Sequence, residues 1–399
     1  MKNEGLSGTF SLNRYEPIHR WYSYVEGYSS CLIEKELDLL ETQSIRSIYD
    51  PFGGTGTTLL SASMRGIVPY YSETNPFMAK VTSTKINSVQ NLMANPDSLN
   101  LLIEFHDLIE NLSYKKAKNS VKWGGFDKFY EPDCLNEIIG IKRLINTLEF
   151  PEAKEILMLA LSSIAVNGSK MIRRGDLRYA KPNEKKGVIN IKRFFLDKLN
   201  IIISDIQQVG HQIQTPVTFL AADSRVIEGE DLVDCVITSP PYLNGTNYIR
   251  NTKLELKLND YVKTEKDLAN FHSQGIVAGI NNVSKRNTTP IILPEVERYL
   301  AELTPVSYDT RIPIMVANYF HDMDNVFSKL KKIMKDGAPF IMDIGDSQFA
   351  GIHIPTHEIL KNLCINHGFR LYDEEILRTR YSKNGMKLSQ RLMKFYLHK

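Results

Sequence analysis

Residues Thr238-Ser239-Pro240-Pro241-Tyr242 close an apolar run, Leu232-Val233-Asp234-Cys235-Val236-Ile237, and their types suit one piece of chemistry. Proline locks φ and supplies no N–H donor, so the chain leaves a strand rigid with its carbonyls outward. A serine oxygen, a proline carbonyl and an aromatic face can then converge on one planar amino group. The exocyclic amine of a nucleobase is such a group.

A second group of residues stands far upstream. Ile45 to Tyr49 predicts a short strand, followed by Asp50-Pro51-Phe52-Gly53-Gly54-Thr55-Gly56-Thr57-Thr58. Leu59 to Arg65 predicts a helix with Gly66 as its C-terminal stop. Strand, glycine loop and helix form the layout of a nucleotide-type cofactor site, where glycine lets the backbone approach a ligand closely. The loop lacks the lysine of a phosphate-cradling loop, which argues against nucleoside triphosphates. The same layout also serves as a plain tight turn, so the loop alone does not decide. Val68 to Ser72 predicts the next strand and ends at Glu73, 17 residues past Gly56. A carboxylate there is placed to hold ribose hydroxyls, or is simply a surface acid.

Together the two loops resemble the amino-group DNA methyltransferases that use S-adenosylmethionine. Asp50 to Gly56, with Thr57 beside it, resembles that family's cofactor loop. Ser239-Pro240-Pro241-Tyr242 resembles its catalytic loop. His19-Arg20-Trp21-Tyr22-Ser23-Tyr24-Val25-Glu26-Gly27-Tyr28 is similar to the aromatic segment that covers the methionine end of the cofactor, with Tyr22 as the contact. The resemblance carries the adenine contact to Asp223, although an aspartate there also suits a helix cap. It implies an α/β fold: a Rossmann-like, mostly parallel sheet ending in a reversed hairpin, plus a mainly helical insertion. It further implies double-stranded DNA as substrate and a companion restriction endonuclease in a defence system. Serine at 239, preceded by threonine, favours cytosine N4. The alternatives are adenine N6, an amino group of RNA, or a DNA-binding subunit without catalysis. Carbon-5 methylation is disfavoured, because no Pro-Cys pair occurs and Cys235 sits inside a strand.

In this reading Ser239 Oγ and the Pro240 carbonyl accept both amine hydrogens and expose the nitrogen lone pair. Tyr242 stacks on a base that has been flipped out of its duplex, since the target atom is unreachable inside it. The remaining elements must position these loops. Residues 1–79 and 216–399 are expected to form the catalytic domain, and 80–215 a helical insertion that is the candidate DNA-recognition region. Apolar residues at three-to-four spacing predict helices over 96–112, 131–148, 151–166 and 191–209. The sheet resumes with strands over 217–222 and 232–237. Residues 243–310 read as irregular, with a turn at Asn244-Gly245 and a helix over 247–258. A helix over 319–335, a strand over 338–344, a helix over 356–367 and strands over 369–377 and 391–397 complete the chain, leaving no C-terminal recognition domain.

Net charge is only +3, but ten Lys or Arg fall between Lys170 and Lys198, opposed by Asp176, Glu184 and Asp197. Such clustering is the footprint expected for a phosphate backbone, or for a solvated helix face. Lys170, Arg173, Arg174, Arg178 and Arg250 are the candidate nucleic-acid contacts. The chain has no apolar run long enough to span a membrane. Its four cysteines form no Cys-x-x-Cys pair, which argues against a metal site and suits a reducing cytoplasm.

Overall fold

The structure is a computed structural model and describes residues 8–23, 27–40, 44–113, 121–184, 187–243, 247–272, 274–284, 287–382 and 384–399. The Asn244-Gly245 turn, Lys185, Lys186 and Tyr24 to Glu26 lie outside the described residues.

Eleven strands are described: β1 Ser47–Asp50, β2 Val68–Ser72, β3 Met171–Arg174, β4 Asp176–Tyr179, β5 Thr218–Ala221, β6 Cys235–Thr238, β7 Pro339–Gly345, β8 Ser347–Phe349, β9 Ile352–Ile354, β10 Phe369–Tyr381 and β11 Lys387–Leu397. Seven of them make one sheet in the order β10-β11-β7-β6-β1-β2-β5. The five from β5 to β7 run parallel, and β11 and β10 run antiparallel to the neighbours that precede them. This is a Rossmann-like sheet with a reversed hairpin at one edge, as the sequence implies. The central strands are buried throughout, so they read as near-continuous apolar runs.

Alternation of side chains sorts two cores onto the two faces. Ile48, Cys235, Ile237 and Ile341 pack with the helix Ser30–Leu39. Tyr49, Val236, Phe340 and Met342 pack with the helix Arg311–Ile333 on the other side. That helix starts earlier than its apolar period indicates because Pro313 fits its first turn.

Residues 80–215, expected to be an insertion, contribute helices Pro96–Asn111, Pro132–Asn146, Pro151–Ser163 and Ile191–Val209. Their apolar residues form one continuous core with Leu59, Leu60, Phe77 and Leu254 of the sheet-flanking helices. The start of the basic stretch is not helical. β3 and β4 make a two-stranded ribbon that turns at Gly175, where φ is +74°. The helix expected over 247–258 is broken into Tyr248–Asn251 and Lys253–Leu258. The break frees the Asn251 side chain for the ribbon: its Oδ1 accepts from Leu177 N at 2.5 Å and its Nδ2 donates to the Gly175 carbonyl at 2.7 Å. Residues 243–310, read as irregular, also contain the helix Pro294–Leu303.

The N-terminal segment is tied to the insertion by one buried carboxylate. Asp205 accepts from Ile18 N (2.8 Å), Trp21 Nε1 (2.9 Å) and the Arg20 guanidinium (2.5 and 3.1 Å). Asp205→Ala strands four N–H donors on three residues, and breaking a buried pair this way typically costs ~3–5 kcal/mol. The expected result is an unfolding free energy lowered by that amount, seen as a lower urea midpoint at unchanged slope. A loss below about 1 kcal/mol would show that water replaces the carboxylate.

Candidate active site

β1 has β2 on one side and β6 on the other, so the strand order reverses between β1 and β6. Ligands of open α/β sheets bind outside the carboxyl ends of the strands at such a point. Asp50 ends β1 and Thr238 ends β6. Thr238 Oγ1 donates to Asp50 Oδ1 at 2.6 Å, and Phe52 N donates to the same oxygen at 3.0 Å. Tyr28 Oη donates to Asp50 Oδ2 at 3.3 Å. Burial pushes the Asp50 carboxyl up to about 6 despite these donors.

The glycine loop is held from beneath. Gly56 sits at φ +79°, and a Cβ there would lie 2.9 Å from Thr82, so only glycine fits. Gly54 N and Asn75 N each donate to Glu73, at 2.8 Å, one to each carboxylate oxygen. Glu73 is buried deeply enough that its carboxyl rises to about 7. Lys85, on a π-turn over Thr84–Ser88, donates to the Thr55 carbonyl at 3.1 Å and the His19 carbonyl at 3.3 Å. Burial pulls its ammonium down to about 7.

The second loop is equally braced. Tyr242 Oη donates to Asp343 Oδ2 at 3.3 Å, and Gln390 Nε2 donates to both Asp343 oxygens at 2.9 Å. Ser347 Oγ fixes the Leu243 carbonyl at 2.7 Å. The Ser239 hydroxyl and the Pro240 carbonyl have no hydrogen-bond partner among the described residues. Both acceptors are therefore unspent.

The two loops share one cleft of about 1150 Å³, its open mouth included. Asp50, Pro51, Phe52, Gly53, Gly54, Thr57 and Glu73 line it on one side, and Ser239, Pro240, Pro241 and Tyr242 on the other. Phe10, Tyr28, Tyr248 and Phe271 add aromatic walls. An amino group entering here meets two free oxygen acceptors and a ring, opposite a glycine loop with a buried carboxylate.

Other expected residues stand elsewhere. Gly56 lies behind the cleft wall. Tyr22 does not line the cleft: its hydroxyl donates to Glu255 at 3.0 Å and its ring meets Phe77 edge-on. Tyr28, in the same aromatic segment, faces the cleft instead. Asp223 is also outside the lining. Its carboxylate caps the turn Ser224–Val226 and is gripped by Arg225 at 2.7 and 2.9 Å, the capping alternative open in the sequence.

The basic candidates are largely neutralised. Arg173 is not on the surface; it donates to Glu255 and to the Asn251 carbonyl, both at 2.7 Å. Arg174 and Arg178 pair with Glu184 at 3.3 and 2.8 Å, and Lys170 with Glu131 at 3.4 Å. Arg250 is exposed. None of these five lines the cleft. Lys85, Asp343 and Gln390 escaped sequence reading. The signal for Asp343 was an acid inside the apolar run Phe340-Ile341-Met342-Asp343-Ile344.

Burial lifts the Asp343 carboxyl to about 7, well above its unfolded value. Between about pH 4 and 7 the folded form then holds more protons at this site than the unfolded form, so its contribution to stability falls as pH rises. Asp343→Asn mimics the protonated group. Its stability relative to the parent should grow as pH goes from 4 to 7, measured by urea unfolding across that range. An advantage that shrank with rising pH would contradict the assignment.

No protein-family model matches the chain. It is 25% identical over 402 residues to the Type II methyltransferase M.AvaI of Nostoc sp., covering 92% of this chain and 82% of that protein. It is 23% identical to the Type II methyltransferase M.MvaI of Kocuria varians, covering 96% and 89%. It is 24% identical to the Type II methyltransferase M.BsoBI of Geobacillus stearothermophilus, covering 96% and 84%. With both loops at the switch point of the expected sheet, the chain is related along nearly its whole length to the Type II methyltransferases.

Proposed function

We propose that the protein is a site-specific DNA methyltransferase that moves a methyl group from S-adenosylmethionine to the exocyclic N4 of a flipped cytosine. The observation that carries this reading is the pair of unspent acceptors, Ser239 Oγ and the Pro240 carbonyl, across one cleft from the Gly53-Gly54 loop. The donor set suits the cofactor. Glu73 keeps lone pairs for ribose hydroxyls beyond those its two backbone donors use. Asp50, Phe52 and Tyr28 surround the end nearest the catalytic loop. S-adenosylmethionine, when bound, supplies an electrophilic methyl on a positively charged sulfur.

The chain's own task is positioning and electrostatics. Ser239 Oγ and the Pro240 carbonyl accept the two amine hydrogens and turn the lone pair toward the glycine loop. Pro241 keeps the loop from yielding. Tyr242 stacks on the base; such stacking is worth about 1–3 kcal/mol and offsets much of the few kcal/mol that flipping costs. Asp343 and Gln390 fix the Tyr242 ring by its hydroxyl. The product ammonium is acidic, so its proton leaves without a strong base. Residues from 247–249, 271–272 and 275–282 wall the cleft around the base, and contacts of Asn251 and Arg173 brace the first of these segments against the ribbon. In this reading the insertion reads the duplex. The Type II relatives support a companion endonuclease that cuts the unmethylated site.

Ser239→Ala and Tyr242→Ala should each lower turnover about 10²–10³-fold while cofactor affinity, measured by calorimetric titration, stays within a few-fold. Lost cofactor binding in either variant would place the site elsewhere. Sequencing DNA from a host expressing the gene should reveal N4-methylcytosine in one sequence context. N6-methyladenine instead would correct the base, and marks confined to RNA would correct the substrate.

A further inference from the structure

A second basic region lies at the other end of the chain. From Arg378 to Lys399 there is no Asp or Glu in the sequence, while Arg378, Arg380 and Lys387 flank the turn between β10 and β11. The register shows where that turn projects. β7 ends at Gly345, which pairs with Gln390 of β11. The hairpin continues past that point through Thr379↔Ser389, Arg380↔Leu388 and Tyr381↔Lys387. Three further pairs extend it by about 10 Å. Because β7 runs parallel to β6 and β1, this extension leaves the sheet at the edge that carries Asp50 and Thr238.

It also stands beside the catalytic loop. Gln390 reaches the carboxylate that holds Tyr242, and a Cβ on Gly345 would lie 3.4 Å from the Tyr242 ring. Asp346 N donates to the Ser389 carbonyl at 2.9 Å, and the Arg380 guanidinium donates to the Asp346 carbonyl at 2.8 Å. Ser382 N donates to the Met386 carbonyl at 2.9 Å, and Gly385 sits at φ +80°.

The cations differ from those of the insertion in one respect. Lys170, Arg173, Arg174 and Arg178 are all matched by carboxylates. Arg378 and Lys387 are exposed and have no carboxylate partner among the described residues. Asp346, the nearby acid, is taken by His357 at 2.5 Å and Ser389 at 2.9 Å. Tyr381 is 71% exposed beside them. Unpaired cations on a ribbon that leaves the sheet at the edge carrying the two loops fit a polyanion, and here the polyanion is a nucleic-acid backbone.

We infer that the β10–β11 hairpin grips the phosphate backbone of duplex DNA beside the flipped nucleotide, through Arg378 and Lys387. This rests on the DNA reading of the cleft above. The test is the double variant Arg378→Gln/Lys387→Gln in the full chain, with duplex DNA binding titrated against salt. Each phosphate contact contributes about 0.9 to the slope of log affinity against log salt. The expected result is a slope smaller by about two, with cofactor affinity unchanged and the slope retained in Arg378→Lys/Lys387→Arg. A slope equal to the parent's overturns the hairpin assignment alone. A parent chain that binds duplex DNA with no salt dependence, or not at all, overturns the DNA reading and the hairpin with it.

Discussion

The bond from Thr238 Oγ1 to Asp50 Oδ1 joins two strand ends that are 188 positions apart in sequence. A reversal of strand order opens a crevice but does not fix its width, because the loops that leave it run apart. Here the width is set by a carboxylate taken out of water. That burial is unfavourable unless the group is hydrogen-bonded. Thr238, Phe52 and Tyr28 supply the bonds, one from the end of β6, one from the glycine loop and one from the N-terminal aromatic segment. Relaxing any of them would leave the acid short of a donor. The cost of burying Asp50 is thereby converted into a fixed separation between the glycine loop and Ser239.

The same device recurs beneath each loop. Glu73 and Lys85 hold backbone groups of Gly54 and Thr55, and Asp343 holds Tyr242. All three are ionisable side chains that burial drives toward their neutral forms. Apolar packing could fill the same volumes, but it is non-directional and would not orient a peptide unit or a phenol. Directional bonds in a low-dielectric interior do so. Groups that must meet a reacting atom within a fraction of an ångström need supports of this kind.

Much of this was legible in the sequence because it depends on local pattern. Strands buried on both faces give apolar runs, and prolines at 132 and 151 mark helix starts, so the sheet and the insertion's helices could be placed. The two loops could be named because their residue types and spacing are themselves the chemistry. What failed depended on partners distant in sequence. Tyr22 and Tyr28 are the same residue six positions apart; only the fold decides that Glu255 claims one hydroxyl and Asp50 the other. Arg173 looked like one more surface cation until Glu255, 82 positions away, was brought beneath it. The break at Thr252 left no mark on the helical period, because it is imposed by the ribbon that Asn251 must reach.

Charge along the chain illustrates the same limit in the opposite sense. A run of Lys and Arg is easy to see, but a neighbouring molecule experiences the field left after folding. Around the insertion's cations, Glu131 and Glu184 of the same segment and Glu255 from outside it cancel much of that field at short range. At the C-terminal hairpin the cations are fewer; Glu374 and Asp373 of β10 answer Arg391 and Lys394, but Arg378 and Lys387 near the turn have no carboxylate partner among the described residues. Coulomb energy falls with distance and with screening beyond about 10 Å, so the nearest carboxylate matters more than the count of cations. Net charge near zero is therefore compatible with one strongly positive edge, provided that the acids are spent elsewhere. In this protein they are spent on the cations of the insertion and on Arg391 and Lys394 at the base of the hairpin.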